Sequence, residues 1–351
     1  MSLLFKRLQH ICNYPLIAIS LSILLSACAT TPTPTPSSTP NIPTPSPAAS
    51  PGTPTSAPIL TTSPSSTSST TPSPSTTTIP TELRVTPTKI ALALGGGAAR
   101  GFAHIGVIKA LEANGIIPDI VVGTSAGSLV GALYANGYNP FELQRIGMQI
   151  DETALTDWAI PDRGFIKGEA LRNFVNQYVQ NRPLEKLKKP FATVATDLQS
   201  GEQVVFRTGN TGTAVRASSS VPGVFQPVMI NGHEYVDGGL VSPVPVRAAR
   251  SMGADIVIAV YISSDPRNAR VKDTIGIMLQ TFSIMGQRIA TQEMTEADII
   301  IRPDLSRVRS TTFDDRNLAI LEGEKVGIAA IATIRQKIAE RNQRNQTPVP
   351  R

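Results

Sequence analysis

From Lys89 onward the chain alternates short β-branched runs with longer helical stretches, and that alternation restricts the fold more than any other feature. Lys89–Leu94 (KIALAL) reads as a buried strand, and Gly101–Asn114 as a helix closed by Gly115. Ile120–Val122 is a second strand. It runs into a helix over Ser125–Asn136 that stops at Gly137. Glycine suits the position past a helix end because it accepts left-handed φ without a Cβ clash. Phe191–Asp197 and Gln203–Phe206 read as strands around a Ser200-Gly201 turn, and Asp255–Tyr261 as another buried strand. Strands alternating with helices predict an α/β sandwich around a mainly parallel central sheet.

The C-terminal part continues the pattern. Asp273–Glu296 is a helix with Ile275, Met278, Leu279, Phe282, Met285 and Ile289 at helical spacing, a stripe expected to pack on the core, with a lipid-facing stripe as the lesser alternative. Ala297–Arg302 reads as a strand and Leu318–Arg341 as a terminal helix. Asp151–Phe165, which holds the single tryptophan, Trp158, lacks a period and reads as a surface loop, with a lid as the alternative.

Residues 1–88 are of another kind. Lys6 and Arg7 precede an apolar run from Leu16 to Leu25, too short to span a bilayer, which needs roughly 20 residues. The ending Leu25-Ser26-Ala27-Cys28 resembles the lipobox of bacterial lipoproteins, where the cysteine is lipidated and becomes the first mature residue. The resemblance implies a signal peptide over 1–27, a lipid on Cys28 and a bacterial, extracytoplasmic, membrane-anchored protein. The plain alternative is a cleaved signal with an incidental cysteine. The other cysteine, Cys12, lies in the segment to be removed, so no internal disulfide would remain. Fifteen of the 29 prolines fall between residues 32 and 87, and Ala29–Thr81 carries no charge. Such a stretch cannot bury a core, so 28–88 reads as a flexible tether. The formal charge of +6 falls to +4 once Lys6 and Arg7 are removed. That mild excess favours an anionic membrane surface and is far from a nucleic-acid signature, and because it is spread along the chain it reads as a solvated surface rather than a lipid-binding patch.

Two motifs carry chemistry. Gly123-Thr124-Ser125-Ala126-Gly127 fits G-x-S-x-G, a strand-to-helix elbow that presents a serine. The first strand runs into Leu94-Gly95-Gly96-Gly97-Ala98-Ala99-Arg100-Gly101. A dinucleotide loop would need a third glycine where Ala98 and Ala99 stand, and an acid about 20 residues on. Beside a serine elbow the loop reads as an oxyanion hole, built from the N–H groups of Gly96, Gly97 and Ala98 together with Gly95. One such donor contributes about 3 kcal/mol.

A serine needs a base. Of the three histidines, His10 leaves with the signal, His104 sits in the helix under the glycine loop, and His233 lies in an exposed-looking turn. Only Ser125–Asp197–His233, or the same pair with another acid between them, satisfies the serine, acid, histidine order of an α/β-hydrolase triad. Val236-Asp237-Gly238-Gly239 instead places a carboxylate at the end of a short strand. A desolvated, oriented carboxylate is a competent base. An aspartate before Gly-Gly is equally an ordinary turn residue.

The glycine loop, the Gly-Thr-Ser-Ala-Gly elbow and Asp237-Gly238-Gly239, with Ala195-Thr196-Asp197-Leu198 and Ala217–Phe225 between them, together resemble the patatin-like phospholipase family over residues 89 to 260. The resemblance implies a three-layer α/β/α fold and a Ser–Asp dyad without histidine. It also implies hydrolysis of acyl esters in phospholipids, lysophospholipids or acylglycerols, with no metal or other cofactor. Ser125 then becomes the nucleophile and Asp237 the base, and Arg100 and Gly101 support the loop. Residues 89–265 would be the catalytic domain and 266–342 a helical extension packed on it. The loop is one residue longer than the plant form Gly-Gly-Gly-x-Arg-Gly, which leaves open which N–H groups face the oxyanion. A membrane-tethered lipid-binding or effector protein is the rival reading.

The lipobox reading makes one prediction. Mass spectrometry of the mature N-terminus should find Cys28 first and carrying acyl mass. An intact leader, or a terminus without added lipid, rules it out.

Overall fold

The computed structural model describes residues 83–85, 87–158, 163–263, 265–268 and 271–348. The expected signal peptide and Cys28 lie outside the described residues, as does nearly all of the expected tether.

The strands are β1 (Leu83–Val85), β2 (Ile90–Leu94), β3 (Ile120–Thr124), β4 (Phe191–Asp197), β5 (Gln203–Phe206), β6 (Val228–Ile230), β7 (His233–Asp237), β8 (Ile256–Val260), β9 (Ile299–Ile301) and β10 (Gln346–Pro348). The helices are α1 (Phe102–Ala113), α2 (Ala126–Asn136), α3 (Pro140–Gln149), α4 (Glu169–Tyr178), α5 (Thr211–Ser218), α6 (Val246–Ser251), α7 (Thr274–Glu293) and α8 (Arg316–Arg344). The main sheet runs β6-β7-β4-β3-β2-β8-β9, with β5 also paired to β4. β3, β2, β8 and β9 add to β4 in parallel, whereas β5 and β7 pair with β4 antiparallel and β6 pairs antiparallel with β7. β1 and β10 form a separate antiparallel ribbon.

The central strands are buried along their whole length, as expected where helices cover both faces. Successive side chains point to opposite faces, and β2 uses the two faces differently. Ile90, Leu92 and Leu94 join a large cluster with α1, α2, α4 and α8. Ala91 and Ala93 join a thinner one with Val246, Ala249 and the end of α7. The small residues let α6 lie close to the sheet. The result is the three-layer arrangement expected from the sequence.

On the thicker side α8 lies across α1 with the backbones in near contact. A Cβ on Gly106 would fall 1.9 Å from the Ile320 carbonyl oxygen, and one on Gly323 would fall 2.0 Å from that of Ala103. A Cβ on Gly327 would meet the Ala110 methyl at 2.7 Å.

α7 differs from expectation. Asp273 caps it, its side chain accepting the Gly276 N–H at 2.7 Å. Yet Ala290 and Glu293 are its only buried residues. Ile275, Met278 and Met285 are exposed, and Leu279, Phe282 and Ile289 are half-buried. The stripe read as core packing is therefore not core. Periodicity shows that a helix has an apolar face but not which way the face points. In 151–165, one short turn over Glu152–Ala154 is followed by a bridge from Trp158 to Ile166.

The α1–α8 crossing makes a prediction. Gly323→Ala has helix propensity in its favour, but its methyl meets backbone that cannot rotate away. Denaturant unfolding should show a loss of about 1–3 kcal/mol, the usual cost of overpacking. Unchanged stability would mean that the helices separate freely.

Candidate active site

The elbow is built by close backbone contact. A Cβ on Gly123 would lie 2.4 Å from the Gly127 carbonyl oxygen, and one on Gly127 would lie 2.1 Å from that of Leu94. Two glycines therefore let α2 start directly against β2 and β3. The residue between them bends hard: Ser125 has φ 53° and ψ −123°, a conformation that costs a non-glycine residue about 1–3 kcal/mol. The turn is held because the Ser125 N–H donates to Ser218 Oγ at 2.9 Å and Ser218 Oγ donates to the Val194 carbonyl. Thr124 Oγ1 donates to the Ser242 carbonyl at 2.8 Å.

The glycine loop packs on this serine. A Cβ at Gly96 would meet the Ser125 Cβ at 3.2 Å, and one at Gly101 would meet the Ala126 methyl at 2.8 Å. The loop does not offer all the donors expected of it. The Gly95 N–H donates to the Val260 carbonyl and the Gly96 N–H to the Pro243 carbonyl, each at 3.0 Å. Those two groups hold the loop to its neighbours and are not free for an oxyanion, which corrects the reading of Gly95 and Gly96. Among the described residues no acceptor takes the N–H of Gly97 or Ala98, and Ala98 is exposed at φ 51°. The Ala126 N–H, in the first turn of α2 beside Ser125, is likewise left over at a helix N-terminus. G-x-S-x-G elbows use the residue after the serine this way, a signal present in the sequence that pointed to Ala126. Arg100 Nε donates to the Val308 carbonyl at 3.1 Å, and the Ala99 N–H to that of Ser310, tying the loop to the segment before α8.

Asp237 ends β7. Register brings it to the serine: Asp237 pairs with Ala195 on β4, next to Val194, which pairs with Thr124 on β3. Thr196 Oγ1 donates to the Asp237 carbonyl at 2.8 Å, and the Asp237 N–H donates to that of Ser220. The carboxyl is buried. Its Oδ1 accepts the Gly239 N–H at 2.7 Å, while its Oδ2 has no hydrogen-bond partner. Desolvation pushes its pKa up to about 6, against smaller lowering effects from the Ser125 hydroxyl and the Gly239 N–H. The hydroxyl is thus near enough to favour the carboxylate without making a full hydrogen bond to Oδ2. Such loose contacts are common in unliganded sites. Burial also removes the handicap of an ordinary aspartate, whose pKa near 3.9 makes it a weak base.

The histidines stand apart. His104 is fully buried, and its Nε2 donates to the Gly95 carbonyl at 2.8 Å. A carbonyl only accepts, so Nε2 carries the proton. Burial lowers the pKa to about 4, partly offset by that bond, and the ring remains a neutral strut beneath the loop. His233 Nδ1 meets Asp197 Oδ2 at 2.9 Å, but on an exposed turn. Asp197 also accepts the Gln199 and Ser200 N–H groups, and the Ser200 bond leads in lowering its pKa. His233 lies four residues before Asp237 along the same strand, roughly 13 Å at the rise of a β-strand. The Asp197–His233 pair therefore forms away from Ser125, and no triad assembles.

One participant gave no sequence signal. Glu293, buried at the end of α7, accepts from Ser242 Oγ at 2.8 and 2.9 Å. Desolvation raises its pKa to about 7, against the Ser242 bond. Ser242 is the residue whose carbonyl holds Thr124, so Glu293 anchors the turn after Asp237 to the elbow. Among the described residues no three His, Cys, Asp or Glu side chains gather as metal ligands.

Residues 92–250 match the family described as patatin-like phospholipase. Over 234 residues, 64% of the chain, it is 32% identical to the patatin-like phospholipase domain-containing protein 6 of Mus musculus. Over 190 residues it is 36% identical to an uncharacterised NTE family protein of Mycobacterium tuberculosis. The chain spans 17% of the mouse protein and 52% of the mycobacterial one. The crystal structure of VipD from Legionella pneumophila superposes with a TM-score of 0.52 at 14% identity, covering 72% of this chain and 70% of that one. That likeness is one of fold.

The buried carboxyl makes a stability prediction. Its folded-state pKa lies above the ordinary value, so its contribution to stability is full below about pH 4 and is lost as pH rises through about 6. Asp237→Asn escapes the cost of a buried charge. In thermal melts it should be more stable than wild type at pH 8, by on the order of 1–3 kcal/mol, with the gap closing near pH 4. Equal melts at pH 8 would mean that the carboxylate is solvated.

Proposed function

We propose that this patatin-like phospholipase domain hydrolyses acyl esters of lipids with Ser125 as nucleophile and Asp237 as its base. One observation carries the reading: the buried Asp237 carboxyl, its Oδ2 without a partner and its pKa raised to about 6, lies close enough to the hydroxyl of the strained elbow serine to be stabilised by it as a carboxylate.

Ser125 Oγ attacks the ester carbonyl carbon while its proton passes to Asp237. The negative oxygen of the tetrahedral intermediate is met by the N–H groups of Gly97, Ala98 and Ala126, aided by the N-terminus of α2. Collapse breaks the bond to the alcohol, which leaves with the proton held by Asp237. Water then attacks the acyl-enzyme, gives its proton to Asp237, and the fatty acid leaves as Ser125 recovers its own. Asp237 carries a proton only between half-steps, so a pKa near 6 suits both directions of transfer at neutral pH.

The lipobox-like segment supports a bacterial, membrane-anchored, extracytoplasmic enzyme, its tether holding the domain near its substrate. A membrane-tethered lipid-binding or effector protein with little turnover keeps the same site without the chemistry.

Assays with short-chain p-nitrophenyl esters separate the two. Ser125→Ala and Asp237→Asn should each lose on the order of 10²–10⁴-fold or more in kcat, and together lose little further, because the pair acts as one unit. His233→Ala should stay within about twofold of wild type, the usual range for a surface change. Wild-type kcat/KM should fall about tenfold per pH unit below about 6 and level off above, because the base must be unprotonated. A folded Asp237→Asn enzyme of near-normal rate sinks the dyad, and a wild type without turnover favours the binding protein.

A further inference from the structure

We propose that the outward face of α7, together with Trp158, which is linked to it through Ile166 and Phe225, is a docking surface for a lipid bilayer next to the catalytic turn. The proposal rests on the lipid-hydrolase reading above for its choice of partner.

α7 is amphipathic in the reverse sense. Ile277, Met278, Ile284 and Met285 fall on one helical stripe by the 3.6-residue period. Ile277 is 60% exposed, Ile284 47% and Met285 52%. From Thr274 to Gln287 the helix carries no charged residue. A helix on a globular protein normally turns such a stripe to the core, and this one turns it to solvent.

The opposite side of α7 touches the catalytic turn. A Cβ on Gly239 would meet the Phe282 ring at 3.1 Å, and one on Gly286 would lie 3.6 Å from the Gly239 carbonyl oxygen. Gly239 is the residue whose N–H holds Asp237. The exposed stripe therefore lies about one helix thickness, roughly 10 Å, from the dyad. A side-chain contact and backbone pairing link α7 to Trp158: the Met278 side chain lies over Gly223, Phe225 pairs with the buried Ile166, and Ile166 pairs with Trp158. Trp158 is 57% exposed, and Phe165 is exposed as well.

The margins of this surface favour a bilayer over a second copy of the chain. Lys272, just before α7, and Arg288, in its last turns, are both exposed, where they would meet anionic head groups. A tryptophan at the rim suits the head-group layer, where the ring is half in hydrocarbon and its N–H in water. Among the described residues no helix is long and apolar enough to cross a membrane. The fitting arrangement is a helix lying in the interface plane, its apolar face sunk about 5–10 Å. An acyl chain leaving the bilayer there reaches the serine with little of its length in water.

Trp158 is the only tryptophan in the chain, so its emission reports this surface even in the full-length protein. The full-length wild type is compared with the triple variant Ile277→Ser, Ile284→Ser, Met285→Ser, on phosphatidylcholine vesicles with and without phosphatidylglycerol. The wild type should show a blue shift of Trp158 emission, larger with phosphatidylglycerol. The triple variant should lose that shift and lose at least about tenfold of vesicle-lipid hydrolysis, since three buried apolar contacts are removed. Its circular dichroism and its turnover of a soluble p-nitrophenyl ester should stay at wild-type values. A triple variant that shifts and hydrolyses vesicles like wild type overturns the proposal. So does a wild-type dimer in sedimentation that the variant renders monomeric, because the face is then an interface between copies. The two readings fail separately: a shift without ester turnover leaves docking standing and removes the hydrolase, whereas turnover without a shift does the reverse.

Discussion

The backbone contact between the start of α2 and the end of β2 sets the geometry of everything around it. Gly127 stands so close to the Leu94 carbonyl that no side chain fits, and that closeness forces Ser125 into its bent conformation. The same contact brings the glycine loop over the serine, since the loop begins where β2 ends. The loop, once there, is fixed by its own backbone. Gly95 and Gly96 donate sideways, His104 braces the Gly95 carbonyl, and Arg100 ties the far end to Val308. What remains unpaired beside Ser125 are the N–H groups of Gly97, Ala98 and Ala126. Strain at Ser125 is tolerated because the surrounding hydrogen bonds over-determine it.

Burial of Asp237 is the second constraint, and it works against stability. Desolvating a carboxylate raises its proton affinity, which disfavours the charged fold at neutral pH and makes the group a better base there. A buried acid with one oxygen unsatisfied costs stability. Glu293 shows the contrast. It too is buried with a raised pKa, but both its oxygens are occupied by Ser242 and one also by the Arg247 N–H. One carboxyl keeps an unpaired oxygen and the other is used as a clamp.

The alternation of strands and helices, the elbow and the glycine loop were legible in the sequence because each depends on neighbours along the chain. Asp237 was legible as a candidate base through the family resemblance, but its burial was not, because its desolvation comes from β4 and the turn after β7. The donors of the loop were misassigned for a related reason: the partners of Gly95 and Gly96 are Val260 and Pro243, far along the chain. α7 shows the limit most clearly. Its period is plain, yet the side facing solvent depends on where Gly239 and Ser242 stand in space. Glu293 left no trace, since a lone glutamate near a helix end looks like any solvated one.

The crossing of α8 over α1 has a consequence in time. α1 is the first helix of the described domain and α8 the last, and the two are pressed together backbone to backbone through Gly106 and Gly323. Until α8 has left the ribosome, α1 has nothing to cover that side of it. The large apolar cluster stays open through most of synthesis, and closing it means joining segments at opposite ends of the domain. Such long-range closure is slow, and the waiting intermediate is one on which a holding chaperone would find an extended apolar surface.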